Sequence, residues 1–204
     1  MTATEPDPDE EQRRFFDVVV AGLGLIVFAP LLGLIALLIK LESPGPVFFR
    51  QTRVGKDEKP FEIMKFRSMT VAEAGEQRVD SAVEDIDSFV FRPTGRMTRI
   101  GRVLRACSLD EMPNLINVLR GEMHIVGPRP DEPELVAQYR PEWRRRHDVK
   151  PGITGLAQIR GRAELTYSET MTYDLEYLDS RSFAGDIRII LSTLGVVAGR
   201  KGAR

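Results

Sequence analysis

The feature that most limits what this chain can fold into is Val18 to Ile39, 22 residues without a charge, bounded by Asp17 and Lys40. As a straight helix that run is ~33 Å long, about the depth of one bilayer core. A cleaved signal peptide has a shorter apolar stretch and a small-residue cleavage site, whereas this run gives way to Lys40-Leu41-Glu42-Ser43-Pro44. A helix buried in a soluble core would carry charges along one face, and none interrupts this run. A membrane segment is the remaining reading. Basic residues stand on both flanks, Arg13 and Arg14 before it and Lys40, Arg50, Arg53 and Lys56 after it. Because Lys and Arg favour the cytoplasmic side, the pattern fits a segment that dips in and returns to the same face. Pro30, preceded by Ala29, lies near the middle, where its missing N–H and its ring bend a helix. A re-entrant helix broken at Pro30 and a bitopic span with a tolerated proline are both open on these grounds.

Charge and cysteine usage narrow the rest. Residues 1–12 carry five acids and no base, with two prolines and no apolar run, and are expected to form a disordered acidic tail. Residues 13–204 then hold 29 basic against 25 acidic side chains. That mild excess is too small for a dedicated nucleic-acid binder, but it suits anionic ligands or an anionic membrane surface. A single cysteine, Cys107, excludes a disulfide framework and a multi-cysteine zinc site, and two distant histidines argue against a His-rich metal centre.

After the membrane segment, residues 13–42, the chain from 43 to 204 has the length of one domain. Val47-Phe48-Phe49 and Pro60 to Phe66 are expected as strands of a hairpin, with Thr52 to Asp57 as its turn. Thr70 to Arg92 is charged and weakly patterned, a long loop with a short helix. Gly95 to Arg105 has helical spacing, as does Leu115 to Leu119, which ends at Gly121. Ser108-Leu109-Asp110-Glu111 fits a capping box, and Asp110 with Pro113 fits an N-cap followed by proline in the first turn. Either way Asp110 sits at or near a helix N-terminus. Further helices are expected over Glu132–Arg146, Ser168–Leu178 and Asp186–Val197, and a short extended segment over Leu156–Gly161. Trp143 beside Arg144, Arg145 and Arg146 suits either a membrane interface or a solvated helix end.

No Ser-His-Asp or Cys-His arrangement, P-loop or GxGxxG is present. What remains is the carboxylate pair Asp110-Glu111 in a chain rich in Lys65, Arg67, Arg105, Arg129, Lys150, Arg160 and Arg162. An ionised Asp near a helix N-terminus can attack phosphorus or hold Mg²⁺, with Arg and Lys neutralising a transferred phosphoryl group. The same pair in most helices is only a cap.

Five stretches carry a resemblance: Ser43-Pro44-Gly45-Pro46-Val47-Phe48-Phe49-Arg50-Gln51, Lys65-Phe66-Arg67-Ser68-Met69, Ser108 to Leu119 around Asp110-Glu111, Gly127-Pro128-Arg129-Pro130 and Pro151-Gly152-Ile153-Thr154-Gly155. Together they resemble the monotopic phosphoglycosyl transferases, the bacterial sugar transferases, over nearly everything after residue 13. The resemblance implies transfer of a phospho-sugar from a UDP-sugar donor to undecaprenyl phosphate, the first membrane step of glycan assembly, with Mg²⁺. It makes Asp110 the nucleophile that forms a covalent phospho-sugar intermediate and expels UMP, and a metal ligand. Glu111 becomes its partner carboxylate. Lys65, Arg67, Arg105 and Arg129 become active-site cations, and Gln158 and Arg162 substrate contacts. It also implies a re-entrant membrane helix, although this chain has Ala29 where the family breaks at a Ser-Pro pair. The expected fold is α/β and mostly helical: a small β-hairpin, interfacial amphipathic helices and an N-terminal membrane hairpin. The expected location is the bacterial inner membrane, with the catalytic domain on the cytoplasmic face, membrane lipid around it and downstream glycosyltransferases as further partners. The chain looks like the minimal catalytic unit. Two rivals are a membrane-anchored nucleotide-sugar hydrolase and an inactive scaffold relative.

Overall fold

A computed structural model describes residues 9–70, 85–90, 96–161 and 164–198, the side chains of 196–198 excepted. The apolar run lies in one helix, α1, Glu10–Glu42. It is helical at every residue, Ala29 and Pro30 included, so the backbone shows a proline accommodated within one helix rather than two helices separated by a break. Residues 1–8 of the expected tail lie outside the described residues, but Glu10 to Gln12 belong to the first turn of α1. Acids are favoured there by the helix dipole, and Glu10 is held by His124 at 3.2 Å and Arg181 at 3.1 Å.

One face of α1 is fixed to the body at both ends. Arg13, Asp17 and Ala21 are buried near its start, Ile35 and Ile39 near its end. Between them, Ile26 to Leu31 are exposed at every position, longer than one helical turn. Strands β1 (Phe48–Val54) and β2 (Pro60–Phe66) form the expected antiparallel hairpin, Phe48 opposite Phe66 and Val54 opposite Pro60. Thr52 to Val54, expected in the turn, continue the strand, and the reversal is left to Gly55–Lys59.

Helix α2 (Arg99–Ala106) starts at Thr98, whose hydroxyl caps Gly101 N at 2.9 Å. Gly101 is required there, since a Cβ would lie 2.0 Å from the Ser68 carbonyl oxygen. The capping box expected at Ser108 is absent. Ser108 is left-handed (φ 55°, ψ 21°) and makes no side-chain cap. It turns the chain into a 3₁₀ segment, Leu109–Asn114, which continues as α3, Leu115–Arg120.

A second sheet was not foreseen. Strand β3 (His124–Val126) pairs in parallel with β4 (Gly152–Thr154), inside the stretch Pro151-Gly152-Ile153-Thr154-Gly155. Gly152 permits it, because a Cβ would stand 2.1 Å from Gly127 N. The expected helix over 132–146 is interrupted. Only α4, Pro133–Val136, forms, and Pro141 opens a separate 3₁₀ segment, Pro141–Asp148. Proline has no N–H to continue a helix and forces the residue before it out of the α region, and Arg140 is extended (φ −66°, ψ 150°). Trp143 is buried at 5% exposure against Tyr139 and Tyr167, so it packs the core rather than facing a membrane. Leu156–Arg160, expected to be extended, is a short helix, α5. Helices α6 (Tyr167–Asp179) and α7 (Phe183–Ala198) fall where the periodicity placed them. Thr166 and Glu169 cap α6 reciprocally, the one capping box present among the described residues. Of the charged loop over 70–92, residues 71–84, 91 and 92 lie outside the described residues. Residues 85–90 are tied to the start of α6, Tyr167 N donating to Phe89 O at 2.8 Å.

Candidate active site

Strand β2, the 3₁₀ segment and the turn after β3 meet at Asp110-Glu111. Asn114 accepts from Met64 N at 3.2 Å and so fixes the 3₁₀ segment to β2. This sets Lys65 beside Glu111. From the opposite side comes Arg129, carried by Gly127-Pro128-Arg129-Pro130. Lys65 Nζ and Arg129 Nη2 each stand 2.8 Å from the same oxygen, Glu111 Oε1.

The two adjacent carboxylates therefore differ in kind. Glu111 is held by two cations. Although burial alone would raise its pKa, the charges of Arg129 and Lys65 keep it well below the usual carboxylate range. Asp110 is 8% exposed and takes no hydrogen bond among the described residues. Burial, then the neighbouring Glu111 charge, push its pKa up, against the pull of Lys65, Arg105 and Arg129. Burial and the like charge of Arg129 bring the Lys65 ammonium down to about 8, with Glu111 and Asp110 opposing. Arg105 is half-buried on α2 and acts on Asp110 through its charge. Thus three cations surround two carboxylates, which leaves positive potential for a further anion.

The other expected residues are placed differently. Arg67 turns to the end of α1 and donates to the carbonyls of Pro44 (2.6 Å) and Ser43 (2.8 Å) and to Ser43 Oγ (3.0 Å). Its guanidinium is used to cap a helix, two residues from Lys65. Both polar atoms of the Gln158 amide are buried without a hydrogen-bond partner, and a Cβ on Gly155 would lie 2.7 Å from its Oε1. Arg162 lies outside the described residues. Among residues not foreseen, Arg53 lines the cleft beside Lys65, Glu111 and Arg129. It is paired with Glu132 at 3.1 Å and so buttresses the turn that carries Arg129. In the sequence Arg53 was visible only as a flanking charge.

No group of three or more His, Cys, Asp or Glu able to cage a metal exists among the described residues. Mg²⁺ does not require one. It is typically bound by one or two carboxylates together with substrate phosphates and water. Asp110, the carboxylate without a protein partner, fits that mode.

A carboxylate with no hydrogen bond among the described residues, beside a second one clamped by cations, suits a phosphorylated substrate. The comparisons with known proteins agree with that class. The chain matches the family described as "Bacterial sugar transferase" over residues 9–200, and it belongs to that family. It is 43% identical over 191 residues to the UDP-glucose:undecaprenyl-phosphate glucose-1-phosphate transferase of Caulobacter vibrioides, covering 90% of this chain and 68% of that one. It is 45% identical over 190 residues to the protein of the same name from Escherichia coli, covering 89% of this chain and 39% of that one. It is 37% identical over 198 residues to a UDP-N-acetylgalactosamine-undecaprenyl-phosphate N-acetylgalactosaminephosphotransferase of Aeromonas hydrophila, 94% of this chain and 45% of that one. The chain thus spans less than half the length of two of these three relatives.

Proposed function

We propose that this chain transfers a sugar phosphate from a UDP-sugar to undecaprenyl phosphate through a covalent intermediate on Asp110. The observation that carries this reading is the division between the carboxylates: Glu111 is held by Lys65 and Arg129, while Asp110 has, among the described residues, no hydrogen bond to break before it attacks. Asp110 forms a bond to the sugar-bearing phosphorus as the phosphoanhydride bond breaks, and UMP leaves with the bridging oxygen. An oxygen of the lipid phosphate then attacks the same phosphorus, releasing the Asp110 carboxylate and giving a lipid diphosphosugar. Lys65, Arg105 and Arg129 hold the charge of the transferred group. Glu111 keeps Lys65 and Arg129 in register without being consumed. Mg²⁺, held by Asp110 and the donor's phosphates, would supply charge neutralisation at the phosphate of the leaving UMP. UDP-glucose is the first donor to try, given the names of the relatives.

The same reading places the chain at the cytoplasmic face of the inner membrane with α1 dipping into one leaflet. What supports a re-entrant path is that both ends of α1 are fixed to one body, with exposed Ile26 to Leu31 between them. A bitopic span would carry one end away. Exposed Val103 on α2 and exposed Leu191 and Leu194 on α7 suit contact with the interface.

The test is intact-protein mass spectrometry of the detergent-solubilised wild type and Asp110→Asn with UDP-glucose and Mg²⁺ but no lipid. A phospho-sugar adduct on the wild type alone is expected. UMP release without any adduct would overturn covalent transfer, and sustained UMP release without lipid would make the chain a hydrolase. For topology, single cysteines at Gln12 and Asp57 in a Cys107→Ser background should label from the same side of sealed vesicles. Labelling from opposite sides would overturn the re-entrant path.

A further inference from the structure

Arg146 is a buried cation with four hydrogen-bond partners, and the site described above does not include it. Its side chain is 2% exposed. One guanidinium nitrogen donates to Tyr139 Oη at 2.5 Å and also pairs with Asp131; the other donates to Asp174 Oδ2 at 2.6 Å and to the carbonyl oxygen of Arg129 at 2.7 Å. Asp131 in turn accepts from Tyr139 Oη at 2.6 Å and from Tyr167 Oη. The partners come from the turn after β3, the loop just before Pro141 and α6.

Stability is a poor explanation for such a centre, because a buried ion-pair cluster can often be replaced by well-packed apolar side chains at no loss. Its location offers a better one. The Arg129 side chain is 48% exposed, so core packing does not orient it. Its tip is fixed by Glu111. Its own carbonyl is fixed, among the described residues, by Arg146 alone. The neighbours Pro128 and Asp131 are held by backbone pairing with Gly152 and Val54 at 2.9 Å each.

We propose that Arg146 is a positioning residue: from within the core, with Asp131 and Asp174, it fixes residue 129 so that the Arg129 guanidinium meets Glu111 and the transferred phosphoryl group. This rests on the transfer reaction proposed above. Phosphoryl transfer depends almost wholly on positioning and charge, and a displacement of about 1 Å can cost ~10²-fold in rate.

The test is a double-mutant cycle on the full chain in detergent, with UDP-glucose, Mg²⁺ and undecaprenyl phosphate. Arg146→Lys keeps the charge and loses the fork. In the wild-type background kcat should fall ~10–100-fold with little change in KM. In an Arg129→Ala background the same change should cost less than about twofold, because the residue being positioned is gone. Asp174→Asn and Tyr139→Phe keep side-chain shape and serve if Arg146→Lys does not fold. Where steady-state turnover is too slow, the same cycle is read in the single-turnover rate of UMP release, which reports the same chemical step. Equal fractional losses in both backgrounds would make Arg146 a purely structural residue and overturn the proposal, as would unchanged kcat in the wild-type background. A wild type that neither binds nor turns over donor would sink the proposed reaction instead.

Discussion

Two of the clusters of buried charge in this small fold, the one at the foot of α1 and the one at Asp110-Glu111, are built differently. At the foot of α1, Arg13 meets Asp186 at 2.7 Å and Asp17 meets His124 at 2.5 Å, while Glu10 joins His124 and Arg181. Burial alone would discharge His124, but its hydrogen bonds to Asp17 and Glu10 outweigh that and raise its pKa. Every carboxylate in that cluster has a cation. Tyr177 donates to Asp186 at 2.9 Å and Ile125 N to Asp17 at 3.1 Å, which use further lone pairs. The Asp110-Glu111 cluster uses the same chemistry and leaves it unfinished: Glu111 is bonded twice and Asp110 not at all. A balanced cluster fastens one element to another, whereas an unbalanced one retains capacity for a ligand. Charge content alone therefore does not separate anchor from site. The unspent bonds do.

The sharpest way to break this comparison is Asp110→Asn. Loss of a covalent nucleophile costs on the order of 10⁴–10⁶-fold in turnover, while the melting temperature should hold or rise, because a buried unpaired carboxylate is removed. A large fall in melting temperature would mean that Asp110 is an anchor too. The converse is Asp186→Ala at the foot. Taking the Asp186 carboxylate from buried Arg13, which keeps Asp9 at 3.5 Å, should cost about 3 kcal/mol in urea denaturation, with kcat per folded molecule unchanged. A kcat that fell with stability intact would tie the foot to the chemistry.

A third test uses pH. Lys65 titrates near 8, brought down by burial and Arg129, so its cation is present below that pH and lost above it. Turnover should fall about tenfold per unit above pH 8, and Lys65→Arg should remove that limb. The smallest effect concerns His147, which stacks on Tyr139 with centroids 5.6 Å apart. Burial, then Arg146, bring its pKa down to about 4 from 6.5. The folded chain keeps it neutral where the unfolded chain would protonate it. The resulting stability is full above pH 6.5 and is lost as pH falls toward 4, by about 1–2 kcal/mol. His147→Phe should flatten the pH dependence of urea stability in that window.

How much of this was legible follows from which interactions are local. The apolar helix α1, the hairpin, α6 and α7 each carry a run or a period that does not depend on distant contacts. The helix expected over 132–146 failed because Pro141 outweighs an otherwise helical composition. The β3–β4 pair had no signal beyond Gly152, since three-residue parallel strands have no period to read. At the site, residue type located the carboxylate pair and its cations, and the structure brings Lys65 and Arg129 onto Glu111. Residue type could not distinguish Lys65, which meets Glu111, from Arg67, which caps α1. Nor could it show Arg146 to be buried, since a three-arginine run has the same composition whether solvated or in the core.

Arg67 has one further consequence. It clamps the exit of α1 through the carbonyls of Ser43 and Pro44, while Lys65, two residues earlier on the same stretch of chain, clamps Glu111. Two residues of extended chain span about 7 Å. The separation between the end of α1 and the Asp110-Glu111 pair is thereby set by a short stretch of chain and one side-chain clamp at each end. In the membrane placement proposed above, the pair and the helix exit would rise or sink together, and the distance between them would stay the same.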